Sequence, residues 1–482
     1  MSIEWIGAIT IVIGLAILRQ GPRFGVFALT ISCLLGAAAA VQLPSLGGAS
    51  IPPSYILLFF FAISVACSHR LRANLPLTVA FPGPGFWLAA LVIFGALSAI
   101  FLPRIFFGLS YVYSLARSDV APDAAIEVLP LAPAASNITQ SLYLGADLVC
   151  FMAVAAYTAC RGPKDVANAI LVAAVVNLAF VVLDAVTYAT GTHELMSIIH
   201  NANYRMLDEG ELGGIKRLVG SYAEAGAYAY AAIGFYAFFL SQWLAGVNAA
   251  LSGALAFLLL LTLLACTSTT AYASLAIYSG LVFLSCILKT MLGQSSAQQR
   301  IYLFVLPIAV LLVVIGAMLL PTLWDAVERL YDAAIANKLD SDSGVERMEW
   351  NDQALRTFFD TKGLGAGVGS VRASSILIAI LANVGVIGAA LFGALLITLS
   401  RAIGWFRRQS VDNEMASSGA VAALALVIPA SVAAGSIDLG LYFSIFAGLA
   451  AGPGVAAAQS GSRPMGFKPW PGTRSSAGLR PS

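Results

Sequence analysis

An all-α, polytopic transmembrane bundle of about twelve or thirteen spans is the fold this sequence predicts, on three observations. Of the 482 residues, 59% are hydrophobic and only 10% charged, whereas a soluble domain averages about 25% charged residues. The apolar residues come in blocks about twenty residues long, the length that carries a helix across a hydrocarbon core. The period-two alternation of a membrane barrel does not appear.

The blocks are 3–18, 24–42, 54–68, 86–103, 141–160, 166–190, 224–242, 248–266, 270–288, 301–320, 375–399, 416–434 and 438–456. Basic residues orient them. Arg19 and Arg23 follow the first block, Arg70 and Arg72 the third, and Arg161 and Lys164 the fifth. Lys289 and Arg300 flank a later link, followed by Arg401, Arg407 and Arg408 and by the tail from Arg463 to Arg480. With thirteen spans all these connections fall on one side, which the positive-inside rule makes the cytoplasm. The long loops 104–140, 191–223 and 321–374 then face the other side. The sequence therefore predicts a membrane protein whose chemistry lies on the outer face, away from the cytoplasm.

Residues 1–456 read as one transmembrane domain. Residues 457–482, rich in Gly, Pro, Ser and Arg, read as a disordered cytoplasmic tail. Met1–Trp5 carries Glu4 and no basic residue, and no A-x-A-like site follows the first block, so that block reads as a retained helix. A formal charge of +2 without a basic tract gives no footprint for nucleic acid. Cys33, Cys67, Cys150, Cys160, Cys266 and Cys286 fall in or at the ends of apolar blocks without a CxxC pair, as packing residues do. Neither a metal nor another cofactor is predicted.

The third loop is the richest in chemistry. Leu323, Val327, Leu330 and Ile335 recur at helical spacing within 322–338, the pattern of a helix lying in the interface or packed on the bundle. Ser343 with Glu346 reads as a capping box, starting a helix that runs to about Phe359 with Arg347, Trp350, Asn351 and Ala354 on one face. Next, Gly363, Gly365, Gly367 and Gly369 lead through Arg372 into the helix that begins near Ser374. Such a run reads either as a tight turn or as an anion cradle. In the cradle, backbone N–H groups of the Gly365–Gly369 segment, a helix N-terminus and Arg372 would together hold a diphosphate.

In the second loop, Arg217 is a further cation. Glu224 reads either as the capping carboxylate of the next helix or as a proton acceptor. His193 and His200 read as interfacial polar residues. Asp147 and Asp184 lie within spans, where an ionisable residue faces the protein interior or a wet cavity; Asp184, near the outer end of its span, reads as one that reaches the interface.

Three stretches resemble the O-antigen ligase and polymerase family of bacterial envelopes: RLVGSYAEAGAYAYAAIGFYAFFL (217–240), SGVERMEWNDQALRTFFDTKGLGAGVGS (343–370) and ILIAILANVGVIGAALFGALLI (376–397). The resemblance covers the C-terminal half. It implies a membrane glycosyltransferase fold of the GT-C-like kind and transfer of an undecaprenyl-diphosphate-linked glycan to an acceptor sugar hydroxyl at the periplasmic face. On that reading Arg217, Arg347 and Arg372 stabilise the diphosphate leaving group without a metal, and Glu224 or Glu346 is the base. The partners implied are the lipid-linked donor, a glycan acceptor, membrane lipids, and flippase and chain-length-regulator proteins. The ligase branch carries a His-Asn pair after the glycines, where this chain has Ala373-Ser374-Ser375, and that moves the expectation towards a polymerase. The rival readings are a flippase for the same lipid-linked glycan and a non-catalytic membrane subunit of a polysaccharide assembly system.

Overall fold

Every apolar block carries a helix, and the helices run back and forth between two sets of connections. The structure is a computed structural model and describes residues 2–43, 49–113, 115, 128–203, 206, 210–212, 215–319, 328, 342–404 and 410–461. The helices are α1 (Trp5–Gln20), α2 (Pro22–Ser32), α3 (Pro53–Cys67), α4 (His69–Arg72), α5 (Leu75–Thr78), α6 (Pro84–Ile105), α7 (Ala135–Arg161) and α8 (Lys164–Ala189). They continue with α9 (Ala225–Ala245), α10 (Ala249–Ala265), α11 (Thr269–Met291), α12 (Ala297–Leu319), α13 (Asp342–Asp360), α14 (Ile376–Ser400), α15 (Val411–Ala433) and α16 (Gly440–Gln459).

Among the described residues, eight helices are long and apolar enough to cross a membrane: α6, α7, α8, α11, α12, α14, α15 and α16. A ninth span arises if α3 and the α4–α5 segment, bent by 92°, count as one; α1 and α10 are shorter apolar helices. The chain is thus a multi-pass helical bundle. The second block differs most from expectation. Its helix α2 stops at Ser32, and the chain then turns into strand β2 (Val41–Leu43). The proposed interfacial helix at 322–338 lies outside the described residues except for Glu328, and the tail beyond Gly461 lies outside them entirely.

Short antiparallel strands tie the connections together. β1 (Ser2–Ile3) pairs with β2, and β2 with β3 (Ala49–Ile51), which puts the N-terminus beside the α2–α3 link. β4 (Tyr111–Tyr113) pairs with β5 (Val128–Pro130) inside the α6–α7 link. Cross-links between loops complete this end: Ala202 N–H donates to Ala37 O, Ser221 Oγ to Leu34 O at 2.7 Å and Arg372 N–H to Tyr113 O at 2.9 Å. We call this the loop-rich end. At the opposite end Arg23 pairs with Asp165 at 3.2 Å, and Ser296 Oγ donates to Leu244 O at 2.7 Å. The alternation read from the basic residues therefore matches which connections touch.

The core is built by close backbone approach rather than by bulk. In lipid, helices gain little by hiding apolar surface from one another, so tight packing and hydrogen bonds must hold them. A Cβ at Gly448 of α16 would sit 2.9 Å from Phe151 O of α7, and one at Gly452 would sit 2.3 Å from Thr158 Cγ2. Over its apolar window α16 is 72% buried, whereas α12 is 11% buried and stands at the periphery. All six cysteines are free thiols.

Candidate functional site

Helix α13 arranges its residues on two faces. Trp350, Asn351 and Ala354 share one face, as their spacing predicts. The Arg372 guanidinium lies over the Trp350 ring, 5.0 Å from its centroid; Asn351 Oδ1 accepts from Ser374 N–H at 2.8 Å; Ala354 is buried. Arg347 stands one turn earlier on this face. Two cations therefore belong to one wall at the loop-rich end. The described helix starts at Asp342, one residue before the expected cap, and the Ser343 side chain of the capping box lies outside the described residues.

The other face of α13 meets the β4–β5 hairpin. Tyr113 hydroxyl donates to Glu349 Oε2 at 3.3 Å, and Thr357 Oγ1 donates to Tyr111 O at 3.2 Å. Ser110 Oγ donates to Asp360 Oδ2 at 2.6 Å. Partial burial, the Glu349 carboxylate and, more weakly, the charge of Glu346 raise the Tyr113 hydroxyl's pKa above its ordinary value. Glu346 thus belongs with Tyr113 and Glu349.

The glycine run is a packing device, which corrects the anion-cradle expectation for Gly365, Gly367 and Gly369. At Gly365 (φ +84°) a Cβ would lie 2.6 Å from Asn383 O, and at Gly367 (φ +96°) 2.6 Å from Ser98 O. Both need a left-handed backbone with no side chain. A Cβ at Gly369 would meet Ser136 O at 2.4 Å. Three of the loop's N–H groups are spent inside the protein: Ala366 on Ala382 O, Gly367 on Asn383 O, both at 2.8 Å, and Val368 on Ser98 Oγ at 3.3 Å. Asn383 Oδ1 accepts from both Ser370 N–H and Val371 N–H, while its amide donates to Val371 O and Ala379 O. From the other side Asn137 Nδ2 donates to Val368 O at 2.7 Å and Ser370 Oγ at 2.9 Å. Helix α14 is broken at Gly385 (φ 62°, ψ −161°), and there Val386 N–H donates to Gly363 O at 3.0 Å. The loop and the broken turn satisfy each other.

The segment before α9 is anchored by Asp184. Its Oδ2 accepts from Val219 N–H at 2.8 Å and Gly220 N–H at 3.0 Å, and Lys216 Nζ lies 2.9 Å from Oδ1. Asp184 is fully buried, so it does not reach the interface as its position suggested. This anchor sets Arg217 within electrostatic reach of Cys266 and places Glu224 as the N-cap residue of α9, its side chain making no capping hydrogen bond.

Glu224 instead lines a cavity of about 350 Å³ with Tyr55, Tyr222, Tyr230, Thr270 and Tyr442. Tyr230 hydroxyl donates to Leu439 O. The turn between α15 and α16 closes one side of the cavity, and there Gly435 approaches Ala373 O, beside Arg372. Behind Tyr55 and Tyr230 lie two carboxyl groups whose charges both tyrosines feel. Asp147 lies within hydrogen-bonding reach of Asp438, and Asp438 Oδ1 accepts from Gly440 N–H at 2.6 Å.

Four groups take a place at the site that the sequence alone does not give them: Asp438, Asn137, Asn383 and the tyrosine set. For Asn383 the available signal is a polar amide inside an apolar block, which must be answered by a partner; Asn137 falls in the loop 104–140 and carries none. Asp438, the first residue of the block 438–456, sits in the turn before α16 and carries no such signal. No protein-family model matches the chain, and no characterised relative matches it.

Proposed function

We propose that this membrane protein transfers a glycan from a lipid-linked diphosphate donor to an acceptor sugar hydroxyl at the loop-rich end, as a polysaccharide polymerase or ligase. One observation carries the reading: Arg372 is seated on Trp350 of the helix that carries Arg347 one turn earlier, and the turn beside Arg372 closes a cavity that holds Glu224. By the positive-inside rule this end is periplasmic, since the opposite connections carry Arg19, Arg23, Arg70, Arg72, Arg161 and Lys164.

In this reaction the acceptor hydroxyl gives its proton to the Glu224 carboxylate and its oxygen attacks the anomeric carbon. The carbon–oxygen bond to the diphosphate breaks, and the diphosphate leaves with the electron pair. Cations at the leaving group favour the step because they meet charge that develops as it departs; Arg347 and Arg372 fill that role, with Arg217 on the neighbouring segment. Aromatic rings beside a carboxylate suit the apolar faces and hydroxyls of a sugar. Glu346, held with Tyr113 and Glu349, is the weaker candidate base. The lipid-linked donor arrives from the bilayer, and flippase and chain-length-regulator proteins are the partners such a reaction needs.

The test is single alanine variants of Arg217, Arg347 and Arg372 with Glu224→Gln, checked for membrane insertion and then for surface polysaccharide. Single repeat units left on the lipid carrier are expected, with a loss of at least about a hundredfold in polymer per removed charge contact. Long but unattached chains would make the protein a ligase. Normal polysaccharide from all four variants would overturn the reading in favour of a non-catalytic subunit.

A second reading, transport of the same lipid-linked glycan, is favoured by the Asp147–Asp438 pair inside the bundle, since carboxyls within spans mark proton paths in transporters. It predicts that Asp438→Asn traps the lipid-linked glycan in the cytoplasmic leaflet, whereas the transferase reading leaves it exposed on the outer face.

A further inference from the structure

A second cavity, of about 1040 Å³, lies at the opposite end of the bundle from the site above. Helices α11 and α15 form its walls, and the α9–α10 and α11–α12 turns close its base. On α15 the lining positions Glu414, Ser417, Val421, Leu424 and Ile428 follow one another at helical spacing, so a single face is presented. On α11 the matching run, read from the same end, is Lys289, Ser285, Leu281 and Tyr278.

Both walls change character in the same direction. Lys289, Ser285, Glu414 and Ser417 stand towards the bundle end, and Leu281, Val421, Leu424 and Ile428 stand deeper, with Val411 outermost on α15 and Tyr278 innermost on α11. Leu281, Leu284 and Leu288 line the cavity, yet about half of each side chain is exposed, at 57%, 53% and 49%. Such residues on a membrane helix meet lipid, so the cavity opens sideways into the bilayer. Arg300 Nη1 donates to the backbone oxygen of Ser295, a lining residue, at 3.1 Å. Lys289 and Arg300 thus stand at the mouth, with Glu414 on the facing wall.

A cavity that is polar at the membrane surface, apolar beneath it and open to the side has the polarity profile of a lipid. Its volume matches the upper range of ligand sites, and basic pockets between helices at the cytoplasmic side hold phosphate headgroups. We propose that this cavity binds a diacyl glycerophospholipid of the adjoining leaflet, its phosphate beside Lys289 and its acyl chains between α11 and α15. The group read is the phosphodiester. This site is independent of the proposed transfer chemistry, because it shares no residue with it.

Binding is tested on the full-length protein, delipidated in detergent and titrated with phosphatidylglycerol, phosphatidylethanolamine and diacylglycerol of identical chains, followed by native mass spectrometry. Either phospholipid is expected to bind as one tightly held copy, at least tenfold tighter than diacylglycerol. Lys289→Gln is expected to lose that preference, and Val421→Trp, which fills the apolar part, to lose all three ligands. Melting temperature and elution volume show that each variant is folded. Equal affinity for diacylglycerol and the phospholipids, or a phospholipid preference untouched by Lys289→Gln in a folded protein, would overturn the proposal.

Discussion

Asp184 and Asp147 both lie in long apolar helices and neither reaches water, at 0% and 4% exposed, yet they are answered in opposite ways. Asp184 receives a lysine and two backbone N–H groups from one short segment. Asp147 faces a second carboxyl, Asp438, with the Gly440 N–H and the Ser444 hydroxyl beside it. A buried carboxylate whose lone pairs are filled by opposite charge and backbone donors is a clamp. One that shares its space with another acid meets like charge instead. The difference separates a residue tied to the loop-rich end by opposite charge from one set against like charge.

The sharpest way to break this contrast is Asp184→Ala. It leaves Lys216 buried without its carboxylate and strips two N–H groups of their acceptor, which costs about 3–5 kcal/mol. Thermal unfolding in detergent should show a larger loss for it than for any of the five substitutions that follow; a melt within a degree of wild type would mean that Asp184 is no clamp. Next is Asn383→Ala. It strands the N–H groups of Ser370 and Val371, each buried donor left unmet costing about 1–3 kcal/mol, and its loss should raise protease sensitivity within 363–375.

Gly365→Ala follows, at about 1–3 kcal/mol for a left-handed residue pressed on the α14 backbone. Gly363→Ala, whose Cβ meets nothing closer than 3.6 Å, should cost about 1 kcal/mol, and equal effects at both would refute the packing role. Asp147→Asn is expected to change stability by less than about 1 kcal/mol, because an amide can donate to Asp438 directly. A drop as large as that of Asp184→Ala would make Asp147 a clamp as well. Smallest is Arg23→Ala: its ion pair with Asp165 keeps the arginine side chain 72% exposed and contributes at most about 1 kcal/mol, which a salt titration of the melt should confirm.

What the sequence disclosed follows from which interactions are local. Helix length and apolarity are properties of consecutive residues, so the blocks at 86–103 and 166–190 reappear as α6 and α8 within two residues at each end. The one-sided basic residues likewise predicted which connections meet. The face of α13 was legible because Arg347, Trp350 and Asn351 are three and four apart. The glycine run was not. Open, it is a cradle of N–H groups; closed, it is a plug between helices, and only Ser98, Ser136 and Asn383, tens or hundreds of residues away or across a turn, decide which. Asp438 was illegible for the same reason, since its meaning comes from Asp147, which lies in a helix far earlier in the chain.

The break in α14 at Gly385 has a consequence for how the protein is made. A spanning helix that interrupts its own hydrogen bonds carries backbone groups that hydrocarbon cannot satisfy. Here Val386 N–H and the carbonyls of Ala382 and Asn383 are met by residues 363–367, which leave the ribosome about twenty residues earlier. The other supports of that loop, Ser98 and Asn137, belong to helices that are by then already synthesised. The interrupted helix therefore enters the bilayer with its partners waiting, and no later span is needed to complete its hydrogen bonds.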